Sequence, residues 1–141
     1  AIRMINPIAD FIAMRREIVA RSRILDAWGF FLNVPTVIGS FFYLDRPVGA
    51  AVCAAILVSL LIATQMHKRM PMSRLMALCH IVFLPAIALL VMEVGPGSIN
   101  NAFGIWATYS LVLMTICVLI DLFDLYRYFI QGNRTYVQPN Q

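Results

Sequence analysis

With 61% hydrophobic and only 13% charged residues and a mean hydropathy of +0.80, a chain of 141 residues has too little polar surface to clothe a soluble globule. Its net charge of +4 and pI near 9.3 could suit a nucleic acid. The basic residues instead flank apolar stretches, where an anionic leaflet attracts each by about 1 kcal/mol, so the expected partner is the lipid bilayer and no nucleic acid.

In chain order, the first element is a predicted helix over 7–24. Asn6 can cap it, Pro7 is tolerated at its first position, and Asp10 lies near the positive end of its dipole. Ile8, Phe11, Ile12, Ile18 and Val19 alternate with Arg15, Arg16, Arg21 and Arg23, the pattern of an amphipathic helix lying at the headgroup level. The basic residues follow the apolar ones, and no small-residue cleavage site appears early, so a cleavable signal peptide is not expected.

Four apolar stretches follow, 25–44, 49–66, 75–92 and 102–126, each long enough to cross a hydrocarbon layer of ~30 Å as a helix. Arg3, Arg15, Arg16, Arg21 and Arg23 precede the first, Lys68, Arg69 and Arg74 separate the second from the third, and Arg127 and Arg134 follow the fourth; Arg46 alone falls on the other side. The positive-inside rule then predicts a multi-pass protein of a bacterial inner membrane with both ends cytoplasmic, 127–141 forming a tail. The connecting segments are about ten residues or fewer, too short for a core of their own, so residues 1–141 read as a single membrane domain. The fold class is therefore all-α, a four-helix transmembrane bundle with an N-terminal interfacial helix.

Within the first span, Ser22, Asp26, Gly29, Asn33, Thr36 and Ser40 step by four and three residues and trace a polar stripe, with Phe30, Phe31, Val34 and Phe41 opposite. Pro35 cannot bond the carbonyl of Phe31, so a kink is expected, with Asn33 or a neighbouring helix satisfying that group. The second span carries Ala51, Ala55, Ser59 and Ala63 every four residues, a small-residue ladder that lets helices approach closely. Pro71 and Ser73 mark the restart into the third span, and Gly95, Pro96 and Gly97 the turn into the fourth. That last span repeats the polar stripe with Ser110, Met114, Cys117, Asp121, Asp124 and Tyr128. Trp28 and Tyr126 are expected at the inner interface, and Tyr43, Trp106 and Tyr109 at the outer one.

His80 and Asp121 are the candidate chemical pair. Each lies about five residues inside its span, roughly 7 to 8 Å deep at 1.5 Å per residue, and an unpaired charge there costs roughly 2.5 to 3.5 kcal/mol. Such a pair either glues two helices together or carries protons or a cation. Nearer the surface, Asp124 and Arg127 are spaced to pair on one helix, and Asp26 is within reach of Arg23 or Arg127. Metal is not expected, because a closed site around Asp121 and Asp124 needs further ligands. Haem is not expected either, since His67 and His80 sit at different depths. Cys53, Cys79 and Cys117 form no CxxC pair and read as small core residues. A sequon at Asn133, Arg134 and Thr135 would be unused on the cytoplasmic side.

Neither a phosphate loop nor a nucleophile elbow is present in the sequence, so no enzyme class or cofactor is predicted. Small size, minimal loops and a close-packing ladder fit a non-enzymatic accessory or scaffolding subunit of a larger membrane assembly, including energy-transducing ones, with other membrane subunits as partners. The alternative is a small oligomeric transporter or channel whose polar path is lined by the first and fourth spans.

Overall fold

In the computed structural model, which describes residues 6–70, 73–96 and 98–133, the Asn6 side chain accepts a hydrogen bond from the Ala9 N–H at 3.2 Å and opens helix α1, Pro7–Arg21. Ser22 then takes an extended conformation, and its hydroxyl accepts from the Leu25 N–H at 3.3 Å, which starts α2, Arg23–Phe42. The expected boundary between 24 and 25 therefore moves back, because serine is a strong helix cap and hydropathy does not register it. Ser22 is thereby the cap of α2 rather than a rung of its polar stripe. Of the residues used in the sequence reading, Arg3, Pro71, Gly97, Arg134 and Thr135 lie outside the described residues.

Helix α3, Pro47–Arg69, begins on a proline and runs three residues past the expected end, placing Lys68 and Arg69 at the negative end of its dipole. The third stretch differs from the single α-helix expected over 75–92. Residues Arg74–Val82 wind as a 3-10 helix, and only Phe83–Glu93 form an α-helix, α4. Pro85 marks the change: it has no N–H to give the Ile81 carbonyl, so α-type bonding cannot run backwards through this point unbroken. After a short turn at Ser98–Asn100, Asn101 caps Gly104 at 2.7 Å and α5 runs over Ala102–Phe129. Thus α2, α3, the combined segment Arg74–Glu93 and α5 are four helices long and apolar enough to cross a membrane.

Helix α2 packs on α3 and α5, and the third stretch fills the remaining side between α3 and α5. Their shared core contains Leu32, Val52, Ile56, Phe83, Leu90 and Met114, all fully buried. Phe30, Phe31 and Phe41 are exposed on the opposite face of α2. Helix α1 lies across α3 and α2, and its Met14 is buried with Ala63 and Cys79.

At Pro35 within α2, the Tyr109 hydroxyl donates to the Phe31 carbonyl that the proline leaves open, and Trp106 Nε1–H donates to the Thr36 carbonyl at 3.1 Å. Trp106 and Tyr109, expected as outer-interface markers, thus direct their polar atoms into α2, and Trp106 is only 8% exposed. An unmade backbone bond in an apolar setting is the stronger demand. Asn33, the other expected donor, serves the Gly29 carbonyl at 2.8 Å. Gly39 makes the α2–α5 approach possible, since a Cβ there would overlap the Trp106 ring. Beside this contact the Arg46 guanidinium lies 4.1 Å from the centroid of the Phe103 ring, a cation–π placement.

Candidate functional site

A 3-10 helix has three residues per turn, so side chains at i and i+3 eclipse and Arg74, Ala77, His80 and Phe83 fall on one line. In an α-helix, at about 100° per residue, Arg74 and His80 would stand roughly 120° apart. On α5, Cys117, Asp121 and Asp124 step by four and three and share a face. The two ridges meet. Arg74 Nη1 donates to Asp124 Oδ1 at 2.6 Å, and His80 Nδ1 stands 2.8 Å from Asp121 Oδ2. The Cys117 sulfur lies 3.4 Å from His80 Nδ1 and 3.8 Å from Asp121 Oδ2. Arg74, Cys117, Asp121 and Asp124 are all buried, and the His80 ring packs against Phe83 at 4.7 Å between centroids.

The structure therefore brings His80 and Asp121 together and adds two residues to which the sequence reading gave no part in the pair. Arg74 was expected only as a loop charge, and Cys117 as a small core residue on the polar stripe of the fourth span. Asp124 pairs with Arg74 rather than with Arg127, whose guanidinium lies over the Phe123 ring at 4.3 Å. A surface pair on one helix gains a few tenths of a kcal/mol, whereas a buried carboxylate without a partner costs several, so the interhelical pair wins. Asp26 pairs with Arg15 on α1 at 3.3 Å, not with Arg23 or Arg127. The three-residue spacing of 74, 77, 80 and 83 was the available signal, hidden by the assumption of α-helical rise.

A second polar group joins α1 to the end of α3. The Gln65 amide donates to Asp10 Oδ2 at 3.0 Å and Lys68 Nζ approaches the same oxygen at 3.2 Å. The Gln65 bond, with Lys68 adding its own bond and charge, holds the Asp10 carboxyl below its ordinary value. His67 Nε2 is 2.7 Å from Glu17 Oε2, and Arg21 lies 3.1 Å from the other oxygen of that carboxylate. The two histidines thus serve different carboxylates, His67 that of Glu17 on α1 and His80 that of Asp121 on α5.

The polar residues of α2 turn inward in part. Thr36 and Ser40 are fully buried, while Asp26 and Asn33 are half-buried, and the Ser40 hydroxyl donates to the Val37 carbonyl at 2.6 Å. On α3, Ala55, Ser59 and Ala63 are buried and Ala51 is half-buried; the Ser59 hydroxyl donates to its own helix at the Ile56 carbonyl, 2.9 Å away. A shallow apolar groove of about 240 Å³ lies between α1 and α3, lined by Ile8, Phe11, Leu57 and Leu61 among others. No protein-family model, characterised protein or solved structure matches this chain.

Proposed function

We propose that the chain is a bacterial inner-membrane protein with both ends cytoplasmic, α1 at the inner interface, and that it serves as a non-enzymatic accessory or scaffolding subunit of a larger membrane assembly. The distribution of Lys and Arg supports the orientation, with Lys68, Arg69, Arg74 and Arg127 at the same end of the bundle as α1. Arg15, Arg16 and Arg23 beside exposed Ile8, Phe11, Ile12 and Val19 support an interfacial α1.

The observation that carries the functional reading is the inward pairing of polar groups. Asp121 and Asp124 meet His80 and Arg74, and the hydroxyls of Ser40, Ser59 and Thr64 bond carbonyls three residues back on their own helices. The two ion pairs tie the third stretch to α5 and hold those helices in register, while the hydroxyl bonds satisfy their donors within single helices and leave none to line a path. A conducting path between α2 and α5 would need Thr36, Ser40 and Ser110 to face water, and all three are fully buried against protein. This weighs against the transporter reading.

Native electrophoresis of source membranes in a mild detergent is the test. The tagged chain should migrate in a band heavier than the same chain expressed and extracted alone, and its abundance should fall when the co-migrating subunits are deleted. Equal migration in both settings, together with ion flux in proteoliposomes of the purified chain, would overturn the reading in favour of a transporter. Reporter fusions after residue 70 and at the C-terminus should report cytoplasmic positions; a periplasmic C-terminus would overturn the orientation.

A further inference from the structure

The least explained group in the bundle is Cys117 with its two neighbours. A thiol serving only as a small core residue has no reason to lie within 3.8 Å of both an imidazole nitrogen and a carboxylate oxygen. These are three different ligand types, one atom each from His80, Cys117 and Asp121, all within 4.8 Å of one another.

A tetrahedral zinc ion with bonds of about 2.0 to 2.3 Å requires ligand atoms roughly 3.3 to 3.7 Å apart. The observed separations are 2.8, 3.4 and 3.8 Å. Two of the three edges fit with shifts of about 0.1 Å, and the third, His80 to Asp121, must open by about 0.5 Å, within reach of a small rotation of either side chain. Cys117 and Asp121 are four residues apart on one helix face, so a rigid element supplies two ligands at once. The charge also balances: a thiolate and a carboxylate neutralise a divalent cation, the imidazole binds neutral, and Arg74 already neutralises Asp124 alongside. On binding, the thiol releases its proton to solvent. The His80 side chain is 22% exposed, so protein does not seal the site on all sides.

We propose that His80, Cys117 and Asp121 form a three-ligand site for a borderline divalent cation of the zinc type, with the fourth position open. Nitrogen, sulfur and oxygen donors together favour zinc over calcium or magnesium, which take oxygen ligands in greater number. The site stands whether or not the accessory-subunit reading holds.

The test uses the full chain in mild detergent, with Co²⁺ as the optical probe and Zn²⁺ as competitor. One Co²⁺ per chain should bind and give a thiolate-to-cobalt charge-transfer band, and Zn²⁺ should displace it. Cys117→Ser should abolish the band, and His80→Gln and Asp121→Asn should each raise the Co²⁺ dissociation constant by at least about tenfold, the lower edge of what even outer-shell partners contribute. Cys53→Ser, at a cysteine in the opposite half of α3, should leave both band and affinity intact. A wild-type chain that shows no band, a band that survives Cys117→Ser, or one lost in Cys53→Ser would overturn the site. Should Cys117→Ser fail to fold by circular dichroism, Asp121→Asn decides: unchanged affinity in that variant overturns the proposal.

Discussion

Replacing Arg74 by Met should be among the most damaging single changes in the bundle, and replacing Arg74 and Asp124 together should be far milder. The two side chains meet at 2.6 Å with 9% and 8% of their surfaces exposed. At an effective dielectric of about 20, two unit charges at that separation attract by roughly 6 kcal/mol, most of which offsets the desolvation of both ions. Arg74→Met leaves Asp124 buried without that partner and should cost about 3 to 5 kcal/mol, and Asp124→Leu should cost a similar amount. In the double variant Met and Leu fill comparable volume without charge, so the net change should fall within about 1 kcal/mol of wild type or be stabilising. The coupling energy of the cycle should then be several kcal/mol, large beside the few tenths expected of independent sites. The assay is unfolding of all four proteins in mixed micelles with increasing dodecyl sulfate, followed by circular dichroism. A double variant whose loss equals the sum of the single losses would refute the reasoning, as would an Arg74→Met cost below about 1 kcal/mol.

Other residues give sharper local contrasts. Gly39→Ala should destabilise the α2–α5 contact by about 1 to 3 kcal/mol through overlap with the Trp106 ring, while Gly29→Ala, where an added Cβ meets nothing within 4 Å, should be neutral or slightly stabilising in the same unfolding assay. Ala55→Leu should lower thermal stability in detergent far more than Leu57→Ala, because Ala55 is 5% exposed in the helix interface and Leu57 is 50% exposed. The lowered carboxyl of Asp10 fixes the sign of an acid response: its hold on Gln65 and Lys68 is fully present above the ordinary carboxylate range and is lost as pH falls through the lowered value. Limited proteolysis at the α1–α2 junction should therefore accelerate on acidification, and Asp10→Asn should give fast cleavage already at neutral pH.

The four long apolar helices were legible because hydropathy reports burial in lipid or protein directly. Helix ends were less so: Ser22 acts through one hydroxyl, and the last turn of α3 extends through polar residues that its dipole favours. The approach of His80 to Asp121 follows from matched depth, which survives the change of helix type because both lie near the same end of their segments. The Arg74–Asp124 pair does not follow from depth, since it depends on the angular line of the 3-10 segment, and that line on bonding around Pro85. Tyr109 illustrates the same limit. Its position suggests an interfacial anchor, but a carbonyl freed by Pro35 on another helix decides where its hydroxyl goes.

The alignment of Arg74, Ala77, His80 and Phe83 toward α5 underlies both the polar cluster and the cation site, and dipolar recoupling by solid-state NMR measures it directly in lipid. With ¹⁵N in the His80 ring and ¹³C at the Asp121 carboxyl, the separation should be under about 4 Å, as the 2.8 Å contact from Nδ1 to Oδ2 requires. Absence of measurable coupling, placing the two groups on different faces of their helices, would contradict the alignment and everything built on it.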